Sequence, residues 1–187
     1  MRRIVGALAA VAATAATLSV GSPASAAPGP DYTQLPDLSG YAAVNPGPYY
    51  SPDYNDNGRT FFVTPSGRTC VLGSGWAYTG CSGHPASAPP GVVGVAISGG
   101  QDGPNWIPPD TTYSTRPEGR FRAPLLDVGQ SISVNGSTCA VSPVGVTCVA
   151  GSRAFTVTPS WFKLVYPAGD KYHSNNSNPE YLPPDQR

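Results

Sequence analysis

Four cysteines in two closely spaced pairs constrain the fold of this chain more than any other feature of its 187 residues. Cys70 lies shortly before Cys81, and Cys139 shortly before Cys148, with room for one turn in each interval. An even number of cysteines is typical of disulfides in an exported protein, and the spacing favours Cys70–Cys81 and Cys139–Cys148, although two other pairings remain open. Zinc is the competing interpretation, but neither pair has C-x-x-C spacing.

The stretch from residue 130 to residue 159 predicts four short antiparallel strands. Alternating apolar residues and the turns between them favour strands at residues 131–134, 137–141, 146–149 and 154–157. Asn135-Gly136 separates the first two, and this dipeptide favours the type I′ turn of a two-residue hairpin. The strands therefore form a meander in which Cys139 and Cys148 lie on neighbouring strands.

A second meander is predicted upstream, with strands at residues 59–64, 68–72 and 76–81. The segment SGRTC, which ends at Cys70, resembles NGSTC, which ends at Cys139. The tripeptide T-P-S also recurs, at residues 64–66 and 158–160, either as part of this repeat or as a strand end, since proline cannot donate to a ladder. Each meander alone would expose one apolar face, so we expect the two to pack together.

Glycine and proline decide the fold class, because 22 of each leave no room for long helices. The sequence predicts an all-β fold of two small antiparallel meanders, each with a short-range disulfide, packed as a sandwich or barrel-like domain with long loops and irregular tails. Residues 82–126 are expected to be mostly loop, with one buried strand at residues 91–98.

The first 26 residues have the features of a secretory signal peptide. Arg2 and Arg3 precede an apolar run at residues 4–20 and the small-residue site Ala24-Ser25-Ala26. No second apolar span follows, so we expect no stable membrane span after cleavage and a secreted or envelope location. The predicted organisation is as follows: signal peptide 1–26, a Pro- and Tyr-rich segment 27–57, the β domain 58–166, and a disordered tail 167–187.

Charge argues against nucleic acid as a partner. Eleven basic residues balance eleven acidic ones, and the loss of Arg2 and Arg3 with the signal would leave the chain slightly acidic. Arg116, Arg120 and Arg122 are the only basic cluster, and a solvated loop explains them, since nucleic-acid surfaces carry a far denser positive field.

Several motifs resemble those of uncharacterised small proteins exported by actinobacteria. They are LPDLSGY near the start of the mature chain, F-x-T-P-S-G-x-x-C ending at Cys70, NWI at residues 105–107, and V-N-G-S-T-C…T-C…F-T-V-T-P around Cys139 and Cys148. The resemblance spans most of the mature chain. It implies a secreted or envelope-associated domain with no assigned reaction, and it supplies no catalytic residues.

The sequence lacks the patterns of common hydrolases, so we expect no catalytic residues, no cofactor and no enzymatic activity. Neither G-x-S-x-G nor H-E-x-x-H occurs. His84, in a Ser-Gly-His-Pro loop, is the one candidate base for an alternative small hydrolase, whereas His173 lies in the polar tail. Glu118 and Glu180 are the only glutamates, which gives little material for a glycosidase pair.

The sequence offers more candidate residues for binding than for catalysis. Trp106, Tyr113 and Phe121 are candidate surface aromatics for an envelope or extracellular protein or glycan, because amphipathic surfaces are typical of such sites. A calcium-dependent module is a further alternative, with Asp53, Asn55 and Asn57 as weak metal candidates. Residue 64, where a calcium loop needs glutamate, is threonine, so an Asx-rich turn is the competing interpretation.

Overall fold

The computed structural model describes residues 34–73, 78–98, 103–109 and 114–167 as two facing β-sheets. The predicted signal peptide and residues 168–187 of the predicted tail lie outside the described residues. Both sheets are open, so the fold is a sandwich and not a barrel. No helix in the described part of the chain has the length and apolar character needed to cross a membrane.

The N-terminal sheet is a five-stranded antiparallel meander. Its strands are β2 (Thr60–Val63), β3 (Thr69–Leu72), β4 (Thr79–Ser82), β5 (Gly94–Ile97) and β6 (Asn105–Ile107). The C-terminal sheet repeats this plan with β7 (Gln130–Val134), β8 (Ser137–Val141), β9 (Val146–Ala150), β10 (Arg153–Val157) and β11 (Phe162–Val165). Strand β1 (Ala42–Ala43) adds to the C-terminal sheet in parallel with β7. Two short 3-10 helices, Gly47–Tyr49 and Tyr54–Asp56, precede β2.

Turn chemistry sets the register of the C-terminal sheet, as the sequence predicts. Asn135 has φ 49° and Gly136 has φ 82°, the pair of positive angles that a type I′ turn requires. Val134 therefore faces Ser137, and Ile132 faces Cys139.

Both predicted disulfides are confirmed, and each joins directly opposite residues of the second and third meander strands. Cys70 faces Cys81 across β3 and β4, and Cys139 faces Cys148 across β8 and β9. The sulfurs of Cys81 and Cys148 lie 3.9 Å apart, and all four cysteines are fully buried. The two disulfides thus stack on each other at the centre of the sandwich.

Two matched rows of residues surround this stack and form the core. One row runs across the N-terminal sheet and the other across the C-terminal sheet, with a disulfide within each. The rows are Phe62-Cys70-Cys81-Val95-Trp106 and Ile132-Cys139-Cys148-Phe155-Leu164. Because strand side chains alternate between faces, the residues next to each row point away from the core.

The outer faces of the two sheets differ. The C-terminal sheet carries hydroxyl pairs there, Ser133 with Thr138 and Thr147 with Thr156, at 2.8 and 2.9 Å. The N-terminal sheet instead places the fully buried Phe61 on its outer face, with the Arg59 guanidinium 5.7 Å from the ring centre. The outer face of the C-terminal sheet thus carries paired hydroxyl groups, and that of the N-terminal sheet carries a buried aromatic ring.

Three edge strands depart from the prediction. Residues 105–107 were expected in a loop, but they pair with β5 and bury Ile107. Proline flanks this segment on both sides, which suits a short edge strand. Strand β11 closes the other meander, and β1 joins the opposite edge of that sheet through the N-terminal segment. That segment spans both sheets, since Tyr50 also forms a bridge to Thr60.

Candidate functional site

An open cleft of about 590 Å³ lies at one end of the sandwich, where the two sheets meet. We call it the Arg68 cleft. Two Ser-Gly-basic tripeptides form much of its lining: Ser66-Gly67-Arg68 and Ser82-Gly83-His84. Val92, Val93, Arg116 and Pro159 complete it.

Two T-P-S turns, one from each sheet, build this end of the sandwich. In the β2–β3 turn the hydroxyl of Thr64 accepts the backbone N–H of Arg68 at 3.1 Å. In the β10–β11 turn the hydroxyl of Thr158 accepts the N–H of Trp161 at 2.9 Å. The repeated tripeptide therefore has the same local role twice, which is to end a strand and hold the turn that follows.

Arg68 joins the two turns through its side chain. One terminal nitrogen donates to the carbonyl oxygen of Ser82 at 3.0 Å, and the other donates to the carbonyl oxygen of Thr158 at 2.8 Å. Gly83 leaves room for the guanidinium, since a Cβ there would lie 1.9 Å from Nη1 of Arg68. The side chain thus links the N-terminal sheet to the C-terminal sheet.

The charge of Arg68 has no carboxylate partner among the described residues. Only 9% of the residue is exposed, and both acceptors that it uses are neutral carbonyls. Within that part of the chain the one ion pair joins Arg59 to Glu118. Burial lowers the pKa of the Arg68 guanidinium below its ordinary value, but arginine still keeps its proton in proteins. A buried, uncompensated cation therefore lies in the wall of the cleft.

His84 lies at the exposed part of the cleft. Its Nε2 is 3.0 Å from the carbonyl oxygen of Pro89, which can only accept, so Nε2 is the donor. Among the described residues no hydrogen bond joins this imidazole to a serine hydroxyl or to a carboxylate. The structure does place Ser66 and Ser82 in the same cleft, but Ser82 Oγ accepts the N–H of Thr69.

Arg116 comes to the cleft on a loop that two aspartates hold against the N-terminal sheet. Asp56, fully buried, accepts the N–H of Glu118 at 2.8 Å, and Asp53 accepts the N–H of Phe121 at 3.1 Å. These bonds fix the residues just after Arg116, whose own side chain is exposed. The carboxylates of Asp53 and Asp56 therefore hold the loop that brings the Arg116 charge to the cleft.

Arg59 also holds the loop that carries Arg116, through Glu118 and Tyr78. Its guanidinium donates to Tyr78 Oη at 3.0 Å and to a Glu118 carboxylate oxygen at 3.4 Å. Tyr78 in turn donates to the carbonyl oxygen of Ser114. Burial raises the pKa of the Tyr78 phenol, which keeps that hydroxyl protonated as a donor.

The candidate calcium residues take part in this network and in a turn. Asp53 contributes its carboxylate to the loop, the Asn55 carbonyl accepts from Arg59 at 3.2 Å, and Asn57 adopts the left-handed conformation at the end of a 3-10 helix. No group of three or more His, Cys, Asp or Glu side chains suited to a metal occurs in the described ranges. These contacts bind Asp53 and Asn55 to the loop of Arg116 and to Arg59, and the calcium alternative stays a prediction.

Two of the three candidate aromatics, Trp106 and Phe121, make separate contacts in the described structure. Trp106 is half-buried and meets the Phe162 ring edge-on, with the ring centres 4.4 Å apart, so it packs between the sheets. Phe121 is half-buried in the loop held by Asp53, and Tyr113 lies outside the described residues. Neither Trp106 nor Phe121 lines the Arg68 cleft.

Sequence reasoning missed the cleft, although a signal was present. Ser66-Gly67-Arg68 and Ser82-Gly83-His84 repeat the order small, glycine, basic, immediately before β3 and at the end of β4. No protein-family model matches this chain, and neither does any curated protein or any solved structure. The residues of the cleft are therefore the basis for assigning a function.

Proposed function

We propose that this protein is an exported, non-catalytic binding domain that acts in the cell envelope or outside the cell, with the Arg68 cleft as its binding site. Two buried disulfides indicate an oxidising, extracytoplasmic environment. The predicted signal peptide and the resemblance to exported actinobacterial proteins support export from an actinobacterial cell, and both stay predictions.

One observation carries the binding role. Arg68 is nine-tenths buried and charged, and it has neutral acceptors only, while it lines a cleft open to solvent. Buried charges in proteins are normally paired, because an isolated charge costs several kcal/mol to remove from water. A ligand that enters the cleft and supplies the missing negative charge accounts for the arrangement.

The surrounding chemistry favours binding over hydrolysis. A hydrolase that used His84 would need a nucleophile and an orienting carboxylate within hydrogen-bond reach of the imidazole. The described residues give His84 one partner, the Pro89 carbonyl oxygen. In the alternative hydrolase, His84 would therefore have neither a nucleophile to activate nor a carboxylate to orient it among the described residues.

Co-sedimentation with isolated envelope of the native host tests the proposal. The oxidised wild-type protein should sediment with the envelope, Arg116→Glu should reduce the bound fraction several-fold, and Arg122→Glu should not. Both arginines are exposed on the same loop, but only Arg116 lines the cleft. Equal loss in both variants, or no sedimentation of the wild type, would contradict the binding role.

Two further measurements address export and catalysis. Mass spectrometry of the protein secreted by the native host should show Ala27 as the first residue. Hydrolysis of peptidoglycan or of a chromogenic ester by the folded protein, lost in His84→Ala, would replace the binding proposal with the hydrolase.

A further inference from the structure

The Arg68 cleft brings together two arginines and a histidine from three separate segments of the chain. Arg68 comes from the β2–β3 turn, His84 from the connection after β4, and Arg116 from the loop held by Asp53 and Asp56. Among the residues that the structure describes, no aspartate or glutamate lines the cleft. The whole chain has equal numbers of basic and acidic residues, so the two arginines make the cleft a local concentration of positive charge. Such a concentration favours an anionic ligand.

The remaining donors suit a tetrahedral anion better than a planar one. A carboxylate pairs best with a guanidinium that offers two parallel N–H groups, but Arg68 already uses one N–H of each terminal nitrogen on carbonyl oxygens. The second cation of the cleft, Arg116, lies on a different segment of the chain. A phosphate or sulfate group has oxygens in several directions and can accept from both arginines at once.

The cleft is larger than one such ion. At about 590 Å³ it falls within the range of small-molecule sites, roughly 300–1,000 Å³. Val92, Val93 and Pro159 give it an apolar wall beside the positive groups. An apolar wall next to cations suits a sugar ring, which has C–H faces, with a charged ester group attached.

The cleft is also held in place before any ligand arrives. Arg68 is fixed by hydrogen bonds to both sheets, and the loop that carries Arg116 is fixed by the buried Asp56. Ala86, in the connection that carries His84, donates its N–H to the carbonyl oxygen of Pro159 at 3.1 Å. Preorganised donors lose little freedom on binding, which favours affinity for a small charged group.

We propose that the Arg68 cleft binds the phosphate or sulfate ester group of an extracellular glycan, with Arg68 and Arg116 contacting the anion and the Val92–Val93 wall contacting the sugar. This inference rests on the proposed function, and it names the class of ligand for that site.

Isothermal titration calorimetry of the full-length, oxidised chain tests it with four probes: glucose 1-phosphate, glucose 6-sulfate, glucuronate and glucose. Saturable binding of the phosphate or the sulfate sugar is expected, and the tighter of the two identifies the ester. Glucose should not bind, and glucuronate should bind at least about fivefold more weakly. Affinity should also fall as NaCl is raised. Failure of both esters to bind, or glucuronate binding as tightly as they do, would overturn the proposal.

Variants locate the binding in the cleft. Arg116→Gln should weaken the binding of the ester by about fivefold, the effect of one exposed ion pair, whereas Arg120→Gln should change it less than twofold. Arg68→Gln should abolish it. Should Arg68→Gln fail to fold, the pair Arg116→Gln and Arg120→Gln decides the matter, because both side chains are exposed. Equal weakening in that pair would show nonspecific attraction and would overturn the proposal.

Competition separates this inference from the proposed function. If the protein sediments with envelope and an excess of glucose 1-phosphate or glucose 6-sulfate releases it, both stand. Sedimentation that neither probe reduces would overturn the ligand class and leave the binding domain intact. Saturable binding of a probe without envelope sedimentation would support the cleft chemistry and contradict the envelope role.

Discussion

The two sheets place their disulfides at equivalent positions, yet their connections differ in length. Residues 151–152 join β9 to β10, whereas residues 83–93 join the corresponding strands β4 and β5. The longer connection carries His84 and the valines of the cleft. One disulfide-linked meander therefore has short connections, whereas its counterpart carries the longer loop that lines the proposed binding cleft.

The outer faces show the same division. The C-terminal sheet has the hydroxyl pair of Ser133 and Thr138 at its surface, where it needs no cover. The N-terminal sheet has the loop of Arg116 held against it by Asp53 and Asp56. Substitutions in the core should therefore lower stability by similar amounts in both halves. Substitutions outside the core should have different effects in the two halves.

Truncation of a core phenylalanine should have the largest effect and should be similar in the two halves. Phe62 and Phe155 are fully buried and lie next to a cysteine in their respective rows. Phe62→Ala and Phe155→Ala should each lower the free energy of unfolding by about 3–5 kcal/mol. Chemical denaturation measures this, with the exposed Val144→Ala as a control expected below about 0.5 kcal/mol. A cost below about 1 kcal/mol at either phenylalanine would show that the two halves of the core do not contribute equally to stability.

Removal of one disulfide should come next. Each closes a short loop, so Cys70→Ala with Cys81→Ala, or Cys139→Ala with Cys148→Ala, should cost about 3 kcal/mol in urea denaturation. The contact between Cys81 and Cys148 predicts that the two losses are coupled and not additive. Additive losses would show that the stacked sulfurs act independently.

Loss of the loop anchor should affect the N-terminal half alone. Asp56→Ala leaves the backbone N–H of Glu118 and the buried hydroxyl of Ser51 without their acceptor, at a cost of about 2 kcal/mol. It should also weaken binding of the ester sugar, because Arg116 is no longer held. Asp127→Ala, at an exposed turn residue, is the matched control. If Asp56→Ala leaves affinity unchanged, the loop does not position the cleft.

The smallest effect is expected on the solvated face. Thr138→Val removes the hydroxyl contact with Ser133 at 2.8 Å, but both groups can bond to water, so stability should change by less than about 0.5 kcal/mol. Thermal unfolding followed by circular dichroism would detect a larger change. A loss above about 1 kcal/mol would mean that this face is covered in solution.

The parts of the fold that the sequence predicts are local. The Asn135-Gly136 turn fixes a hairpin by itself, and a cysteine on each side of one turn limits the pairing. The edge strands β1 and β6 could not be predicted in this way. Each has two or three residues, and its strand character depends on a partner elsewhere in the sheet.

The site was harder to predict than the fold because its residues are distant in sequence. The sequence predicts a strand at Arg68, a candidate base at His84 and a solvated loop at Arg116. Their proximity depends on contacts between sheets, such as the bond from Arg68 to the Thr158 carbonyl oxygen. Alternation of side chains along a strand carries no information about such contacts.

Mapping of backbone amide shifts by NMR during titration with glucose 1-phosphate and with glucose 6-sulfate tests the division between scaffold and binding half most directly. With the ester that binds, we expect saturable shifts at residues 66–68, 82–84 and 116, and little change in the turns at 135–136 and 151–152. Shifts of equal size in those turns, or none around Arg68 with either ester, would contradict the account.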